Sequence, residues 1–284
     1  MAKPDPAGAA LSRWPDKLLL IGCGNMAGAM LARWLEKGLP AERVTVLRPS
    51  GAPVAPGVRV VTALTEPVAP GTLVLLGFKP QQLGQVAPGL APLVGEGATL
   101  LSILAGVPVA QLRAAFPGAG AIVRCMPNLP VRIGKGVSIL AAGSCADEAT
   151  CAQIEALCTS LGLVEWLADE ALFNAATALS GCGPAFVYRF IDALGEAGAA
   201  LGLDPAAAAR MALATVEGAA VSAGASGVTP GAMADAVASK GGMTREGLDV
   251  LDRPDGLAAL VGETLRAARD RGVALAALAA KPGA

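Results

Sequence analysis

Lys17-Leu18-Leu19-Leu20-Ile21-Gly22-Cys23-Gly24-Asn25-Met26-Ala27 decides how the chain is read. The run from Lys17 to Ile21 is short and apolar, as a buried strand is. Beyond it, Ala27, Met30, Leu31, Trp34 and Leu35 recur at helical spacing until Gly38 stops them. Strand, glycine turn and helix in that order put Gly22-x-Gly24-x-x-Ala27 where a dinucleotide's pyrophosphate meets a helix N-terminus. A purely structural turn is the bland alternative. The motif's place between strand and helix favours binding.

Further aliphatic runs lie at residues 44–47, 58–61, 72–76, 99–104, 121–124 and 137–141. Continuous rather than alternating apolarity predicts strands covered on both faces, as in a parallel sheet. Asp147 is placed to cap a helix whose stripe is Cys151, Ile154, Leu157, Cys158 and Leu161, and a last strand follows at 163–166. After about Ala168 the strand-like runs stop. Asp204-Pro205 and Thr229-Pro230 each set a capping side chain before a proline at a first helical position. Gly202 separates two alanine-rich helices, and residues 256–271 read as another. The expected fold class is therefore α/β: an N-terminal Rossmann-type parallel sheet domain over residues 1–167, then an all-helical domain over 168–284.

Composition removes whole classes of function. The 284 residues carry 22 Lys and Arg against 23 Asp and Glu, a net charge of -1, so there is no basic field for a phosphate backbone. Aromatic residues make up 3%, which leaves little to stack on bases, and no nucleic-acid partner is expected. The absence of histidine excludes His-based triads, His general bases and His-ligated zinc. At 54% apolar residues a membrane protein must be considered. However, the longest uncharged stretch, from Ala171 to Tyr188, carries Asn174, Thr177, Ser180 and the breakers Gly181-Cys182-Gly183-Pro184, so no membrane partner is expected. The first sixteen residues, with Asp5, Arg13, Asp16 and three prolines, read as a frayed leader rather than a secretion signal, and the last five read as disordered. Cysteines at 23, 125, 145, 151, 158 and 182 form no C-x-x-C pair and are expected to stay reduced in the cytoplasm.

Candidate binding residues extend from the glycine turn. An NAD site commonly ends its second strand in Asp or Glu, whereas this chain has Arg48-Pro49-Ser50 there, suited to a 2′-phosphate. NADP(H) is preferred on that ground; a merely exposed Arg48 is the alternative. Phe78-Lys79-Pro80 follows an apolar run and would lie over the cofactor, with Lys79 as a positioning or solvated cation rather than a Schiff-base nucleophile. Cys151 and Cys158 belong to a buried stripe, and Cys23 reads as a small filler. In Ser239-Lys240-Gly241-Gly242-Met243-Thr244-Arg245-Glu246, two glycines precede a threonine at an expected N-cap. That pattern suits a backbone cradle for a small carboxylate and suits a helix-loop-helix turn equally well.

Taken together, these segments resemble the pyrroline-5-carboxylate reductase family over about Leu18 to Arg271. The resemblance rests on Ile21-Gly22-Cys23-Gly24-Asn25-Met26, Phe78-Lys79-Pro80, Leu104-Ala105-Gly106-Val107, Arg124-Cys125-Met126-Pro127-Asn128-Leu129-Pro130, Leu179-Ser180-Gly181-Cys182-Gly183-Pro184-Ala185, and Ser239 to Thr244 followed by Leu248 and Leu251-Asp252. The family's usual last segment is similar to Ser-Pro-Gly-Gly-Thr-Thr, so Lys240 replaces a proline and Met243 a threonine; Cys182 and Leu129 stand where serine and threonine are common.

The resemblance implies an N-terminal Rossmann domain and a helical domain that interlocks with its twin, giving a homo-oligomer of at least two copies, with a decamer as the larger alternative. Its small-molecule substrate, a cyclic imine bearing a ring carboxylate, would lie between the cofactor of one subunit and helices of the dimer. Hydride from NADPH, or from NADH, would reach the imine carbon and give proline. An imine already protonated on binding needs no strong general acid, in keeping with a chain that lacks histidine. By the same resemblance Gly22, Gly24, Asn25 and Met26 serve the pyrophosphate, Arg48 and Ser50 the 2′-phosphate, and Phe78, Lys79, Pro80, Ala105 and Gly106 the ribose and nicotinamide. The backbone of Ser239, Gly241, Gly242 and Met243 would take the carboxylate, Thr244 would bond the ring nitrogen as the catalytic side chain, and no metal is called for. A reductase of another cyclic imine on this fold, and a catalytically silent NADP-binding regulator, are the alternatives.

Overall fold

Lys17–Ile21 (β1) carries a large apolar side chain at every position after Lys17, and the sheet uses both sides of it. Leu18 and Leu20 face a core shared with Met30, Leu31, Trp34, Ile154 and Leu157, while Leu19 and Ile21 face one shared with Leu83, Ala87, Leu112 and Phe116. The computed structural model describes residues 14–143 and 146–279. The expected frayed leader therefore falls almost wholly outside the described residues, as do Cys145 and the expected disordered end.

From β1 the chain passes through Asn25–Glu36 (α1), Val44–Leu47 (β2), Arg59–Val61 (β3), Thr72–Leu76 (β4), Leu83–Leu90 (α2), Thr99–Ser102 (β5), Val109–Ala115 (α3) and Ile122–Pro127 (β6). It continues through Gly136–Ala142 (β7), Glu148–Thr159 (α4) and Gly162–Trp166 (β8). Among the described residues these eight strands form one sheet in the order β3-β2-β1-β4-β5-β6-β7-β8. The order runs one way from β1 to β3 and the other way from β4 on, the doubly wound arrangement, with β1 and β4 side by side where the direction changes.

The sheet is parallel except at one place. β7 runs antiparallel to β6 within an otherwise parallel sheet. The reason is connection length: a parallel return needs roughly a dozen residues or more. Here only Asn128 to Lys135 intervene, as a tight helical turn closed by Gly134 at φ 71°. Asp147 caps α4 as expected, its carboxylate accepting from Thr150 N–H at 2.8 Å. Trp34 of α1 is fully buried and donates from Nε1 to Leu157 O of α4 at 3.2 Å, which ties the two helices on that face together.

Beyond β8 the described residues are helical. Phe173–Ala176 (α5) leads into a π-helical turn, Thr177–Gly181, and then come Gly183–Ala200 (α6), Pro205–Ser226 (α7), Pro230–Ala236 (α8), Met243–Leu251 (α9) and Leu257–Ala279 (α10). Asp204 and Thr229 cap α7 and α8, accepting from Ala207 N–H at 2.9 Å and Ala232 N–H at 3.3 Å. The chain divides into two compact units, one of residues up to Gly181 with those from Arg269 on, the other Cys182–Ala268. In the second unit α6 and α7 pack closely through small residues, a Cβ on Gly195 lying 3.3 Å from Ala209 Cα. Among its described residues only small side chains, Ala208 and Ala212, are buried, while Phe190, Leu201, Leu213, Val221 and Leu260 are exposed. Such a surface is more apolar than a monomer usually leaves in water. No single helix among the described residues is long and apolar enough to cross a membrane.

The seating of α1 on the sheet depends on one contact. A Cβ at Gly77 would come 2.9 Å from Ala27 Cβ and 3.0 Å from Gly22 O. Gly77→Ala should therefore lower stability by about 1–3 kcal/mol through overpacking, read as a lower urea midpoint; an unchanged midpoint would show that α1 can shift without cost.

Candidate functional site

The glycine turn closes the C-terminal end of β1. Gly22 has φ 82°, donates its N–H to Leu47 O at 2.9 Å, and would place a Cβ 3.0 Å from Phe78 N, so no other residue fits there without moving the loop after β4. Gly24 is the N-cap of α1 in an extended conformation, and no described atom lies within 4 Å of where its Cβ would be. The first intrahelical bond is Gly28 N–H to Gly24 O at 2.7 Å, so the N–H groups of Asn25, Met26 and Ala27 are left to point out of the helix end. An open approach with free donors and the positive end of a helix dipole fits a pyrophosphate. Gly77, which sequence reasoning had only as the end of an apolar run, makes this possible by letting Ala27 sit against the sheet.

The other expected cofactor residues come to the same edge. Arg48 directly follows β2, its N–H donating to Val61 O at 2.9 Å and its Nη1 to Ala52 O at 3.3 Å. Burial pushes the Cys23 thiol up, and the Arg48 cation partly offsets this. Ser50 is exposed, and its hydroxyl accepts from Ala52 N–H at 3.4 Å. Phe78, Lys79 and Pro80 follow β4. Lys79 is exposed, and the loop is held by Gln82, whose Oε1 accepts from Lys79 N–H at 3.1 Å while its own N–H donates to Lys79 O at 2.9 Å. Ala105 and Gly106 follow β5, Gly106 at φ 75°. The ends of β1, β2, β4 and β5 thus bring all these residues to the crevice where such folds bind dinucleotides.

Some residues that carry the resemblance had no readable role until the chain folded. Asn128 is buried and bridges three segments: its Nδ2 donates to Ser180 O at 2.9 Å, and its Oδ1 accepts from Val137 N–H at 2.8 Å. Ser180 lies in the π-helical turn, where widened geometry leaves a carbonyl for an outside donor. Arg124, in the interior of β6, lies 3.7 Å from the Phe173 ring centroid and donates to Glu170 Oε1 at 2.7 Å. Burial lowers its pKa and Glu170 counters that.

In the second unit the expected substrate segment forms a tight turn. Gly242 N–H donates to Ser239 O at 2.9 Å, Lys240 has negative φ, and Gly241 has φ 69°, the type II pattern. A Cβ on Gly242 would come 2.5 Å from Ser239 Oγ, so the second glycine is needed for space. The N-cap of α9 is Gly242 at φ −87° and ψ 161°, and Thr244 is the second helical residue. This corrects the expected capping role: the turn's last glycine already takes the extended cap conformation. Thr244 is exposed and its hydroxyl makes no hydrogen bond among the described residues. The first bond of α9 is Glu246 N–H to Gly242 O at 3.3 Å, so the N–H groups of Met243, Thr244 and Arg245 remain free. Met243 is 94% exposed.

Arg245, which sequence reasoning passed over, braces this turn. It donates to Asp252 Oδ2 and Asp249 Oδ1, each at 2.8 Å, and lies 3.5 Å from Asp235 Oδ1 of α8, so both flanks of the turn are pinned. The Asp252 bond, then Asp249, raises the guanidinium's pKa further.

A doubly wound sheet with a G-x-G-x-x-A turn where its direction changes defines the class of dinucleotide-binding Rossmann proteins. Residues 17–106 match the family model described as NADP oxidoreductase coenzyme F420-dependent, and residues 170–275 match pyrroline-5-carboxylate reductase dimerisation. The chain is 35% identical over 265 residues to pyrroline-5-carboxylate reductase of Pseudomonas aeruginosa, covering 92% of this chain and 97% of that one. Among solved structures it is similar to a pyrroline-5-carboxylate reductase from Coxiella burnetii, with TM-score 0.82, 28% identity, and 92% and 98% of the two chains covered. It shares the fold of a Plasmodium falciparum pyrroline carboxylate reductase with NADP bound, at TM-score 0.79, 24% identity, and 92% and 98% coverage. The chain belongs to the pyrroline-5-carboxylate reductase family.

The turn geometry yields a test. Lys240 holds the second position of a type II turn and its N–H makes no hydrogen bond among the described residues, so proline fits there. Lys240→Pro should raise stability by about 0.4–1 kcal/mol by restricting the unfolded chain, measured as a higher Tm; a lower Tm would show that the turn is not of this type.

Proposed function

We propose that this chain reduces the cyclic imine of 1-pyrroline-5-carboxylate to L-proline with NADPH, the last step of proline biosynthesis. The observation that carries the reading is the braced turn Ser239–Gly242, which opens α9 with free N–H groups beside the unpartnered hydroxyl of Thr244. By role, residues 1–167 are read as the NADP-binding domain and residues 168–284 as the substrate and dimerisation domain, although by packing residues 168–181 and those from Arg269 on go with the sheet unit.

Bound NADPH supplies the hydride. The backbone at Gly22, Gly24, Asn25 and Met26 holds the pyrophosphate at the N-terminus of α1. Arg48 and Ser50 receive the 2′-phosphate, since the end of β2 offers no carboxylate to accept from ribose hydroxyls. NADH is a poorer donor for the same reason. Phe78, Lys79, Pro80, Ala105 and Gly106 shape the ribose and nicotinamide end. The substrate carboxylate is taken by Ser239, Gly241, Gly242 and Met243; because the Gly242 N–H is committed to Ser239 O, Gly242 contributes space while Met243 donates. The Thr244 hydroxyl would hold the ring nitrogen of the bound imine. With a cationic imine, orientation and preorganised donors suffice.

The exposed apolar helices of the second unit support a homo-oligomer of at least two copies, covering one another's surfaces; light scattering separates a dimer from a decamer. Free cysteines at 23, 125, 151, 158 and 182 suit a reducing compartment such as the cytoplasm. Lys240 and the exposed Met243 at the substrate turn favour a second reading, reduction of another cyclic imine. NADPH oxidation measured with five-membered, six-membered and sulfur-containing imines distinguishes the two. Cofactor binding without oxidation of any of them would instead mark a silent NADP-binding regulator.

Arg48→Asp should move the ratio of specificity constants from NADPH toward NADH, because an acid repels the 2′-phosphate and accepts from ribose hydroxyls; an unchanged ratio removes Arg48 from the site. Thr244→Ala should cost about 1.5–3 kcal/mol in transition-state binding, a bond to a charged group, or roughly tenfold to a hundredfold in kcat/KM. Because Gly242 is the cap, Tm and NADPH affinity should hardly change. A kcat/KM equal to that of the parent rejects the assigned role.

A further inference from the structure

Glu170 gathers two donors on one carboxylate oxygen. Its Oε1 accepts from Arg124 Nη1 at 2.7 Å and from Val109 N–H at 2.9 Å. Arg124 comes from β6, and Val109 opens α3 directly after the Ala105-Gly106 loop. The N-cap of α3 is Pro108, which has no side chain able to cap, so Glu170 supplies from a distant part of the chain the acceptor that the helix start lacks. Arg124 is only 5% exposed and is stacked on Phe173, so its guanidinium has little recourse to water. The loop is also held by Ile103 N–H on Leu76 O at 3.2 Å, Leu104 N–H on Ser102 Oγ at 3.3 Å and Val107 N–H on Leu104 O at 3.4 Å, and Gly106, at φ 75°, sits where a Cβ would be 3.5 Å from Ala276 N of α10. Gly106, Pro108, Arg124, Glu170, Phe173 and Asn174 border a cavity of about 240 Å³.

The pair is only partly buried, with the Glu170 side chain 34% exposed, and such a pair is a weak source of stability. Its use here is geometric. Two donors on separate elements share one anionic acceptor, so the start of α3 cannot shift without lengthening a bond to the sheet. We propose that Glu170 is a positioning residue for the cofactor: through Val109 and Arg124 it sets the Ala105-Gly106 loop at the end of β5. This rests on the reading of that loop as part of the NADPH site. Glutamine at 170 keeps the length and an oxygen with two lone pairs but removes the charge, so both bonds weaken while the shape is kept.

The test is NADPH binding and steady-state kinetics of full-length Glu170→Gln. Kd and KM for NADPH should rise about tenfold, while KM for pyrroline-5-carboxylate and kcat at saturating NADPH stay within about twofold of the parent. Because Glu170→Gln leaves Arg124 buried without its counter-charge, the double variant Arg124→Met/Glu170→Gln guards against misfolding and should show the same rise in the NADPH constants. A lower Tm with unchanged NADPH constants in a folded variant overturns the proposal, because a purely structural pair predicts that outcome. Equal rises in both substrates' KM values also overturn it. Failure of the unsubstituted protein to bind NADPH overturns the cofactor reading itself, and the positioning role with it.

Discussion

Ala27 and Gly77 meet at a distance that leaves room for a methyl group on one side and nothing on the other. Because of that contact, α1 comes down onto the sheet between β1 and β4, and its first N–H groups arrive at the edge where the strand order turns. Gly22 presses its backbone against the start of the Phe78 loop from the same place. Close packing in a protein interior is unforgiving at the scale of one methylene. The binding crevice is thus the outer face of a packing solution: the residues that allow it are chosen for their smallness, and those that use it are mostly backbone.

Reliance on backbone donors runs through the rest of the chain. With no histidine and a net charge of -1, the protein has few side chains that could change protonation near neutral pH. Its charges are committed to structure instead. Arg124 is tied to Glu170, and Arg245 is tied to Asp235, Asp249 and Asp252. Arg124 reaches the start of α3 through Glu170, and Arg245 pins both flanks of the Ser239–Gly242 turn. In both places a cation is tied to carboxylates from other elements or turns of the fold and fixes the backbone beside it.

The helical unit follows a different logic. Its helices approach closely through alanine and glycine, as Gly195 against Ala209 shows, and this spends the small residues on internal contact while the larger apolar ones face outward. A helix pair of this kind has too little buried area to be a finished domain. The unit's exposed apolar helices are in keeping with the dimerisation family model that residues 170–275 match.

Much of this was legible in the sequence because it depends on local order. The strand runs, the glycine turn and the caps at Asp147, Asp204 and Thr229 all follow from residues within a few positions of one another, and the structure has them where the pattern put them. Apart from one local case at the start of α9, what the sequence could not show depends on how elements pair across the fold. The reversal of β7 comes from a connection too short for a crossover, visible only once β6 and β7 are known to pair. The capping of α9 by Gly242 rather than Thr244 comes from a turn whose hydrogen bond consumes a glycine N–H. Asn128 on Ser180, Arg124 on Glu170 and Ala27 on Gly77 each join residues about fifty positions apart. Periodicity and propensity report what a segment can be; which buried polar group meets which is settled only when the elements pack, because satisfying it requires a partner from elsewhere in the chain.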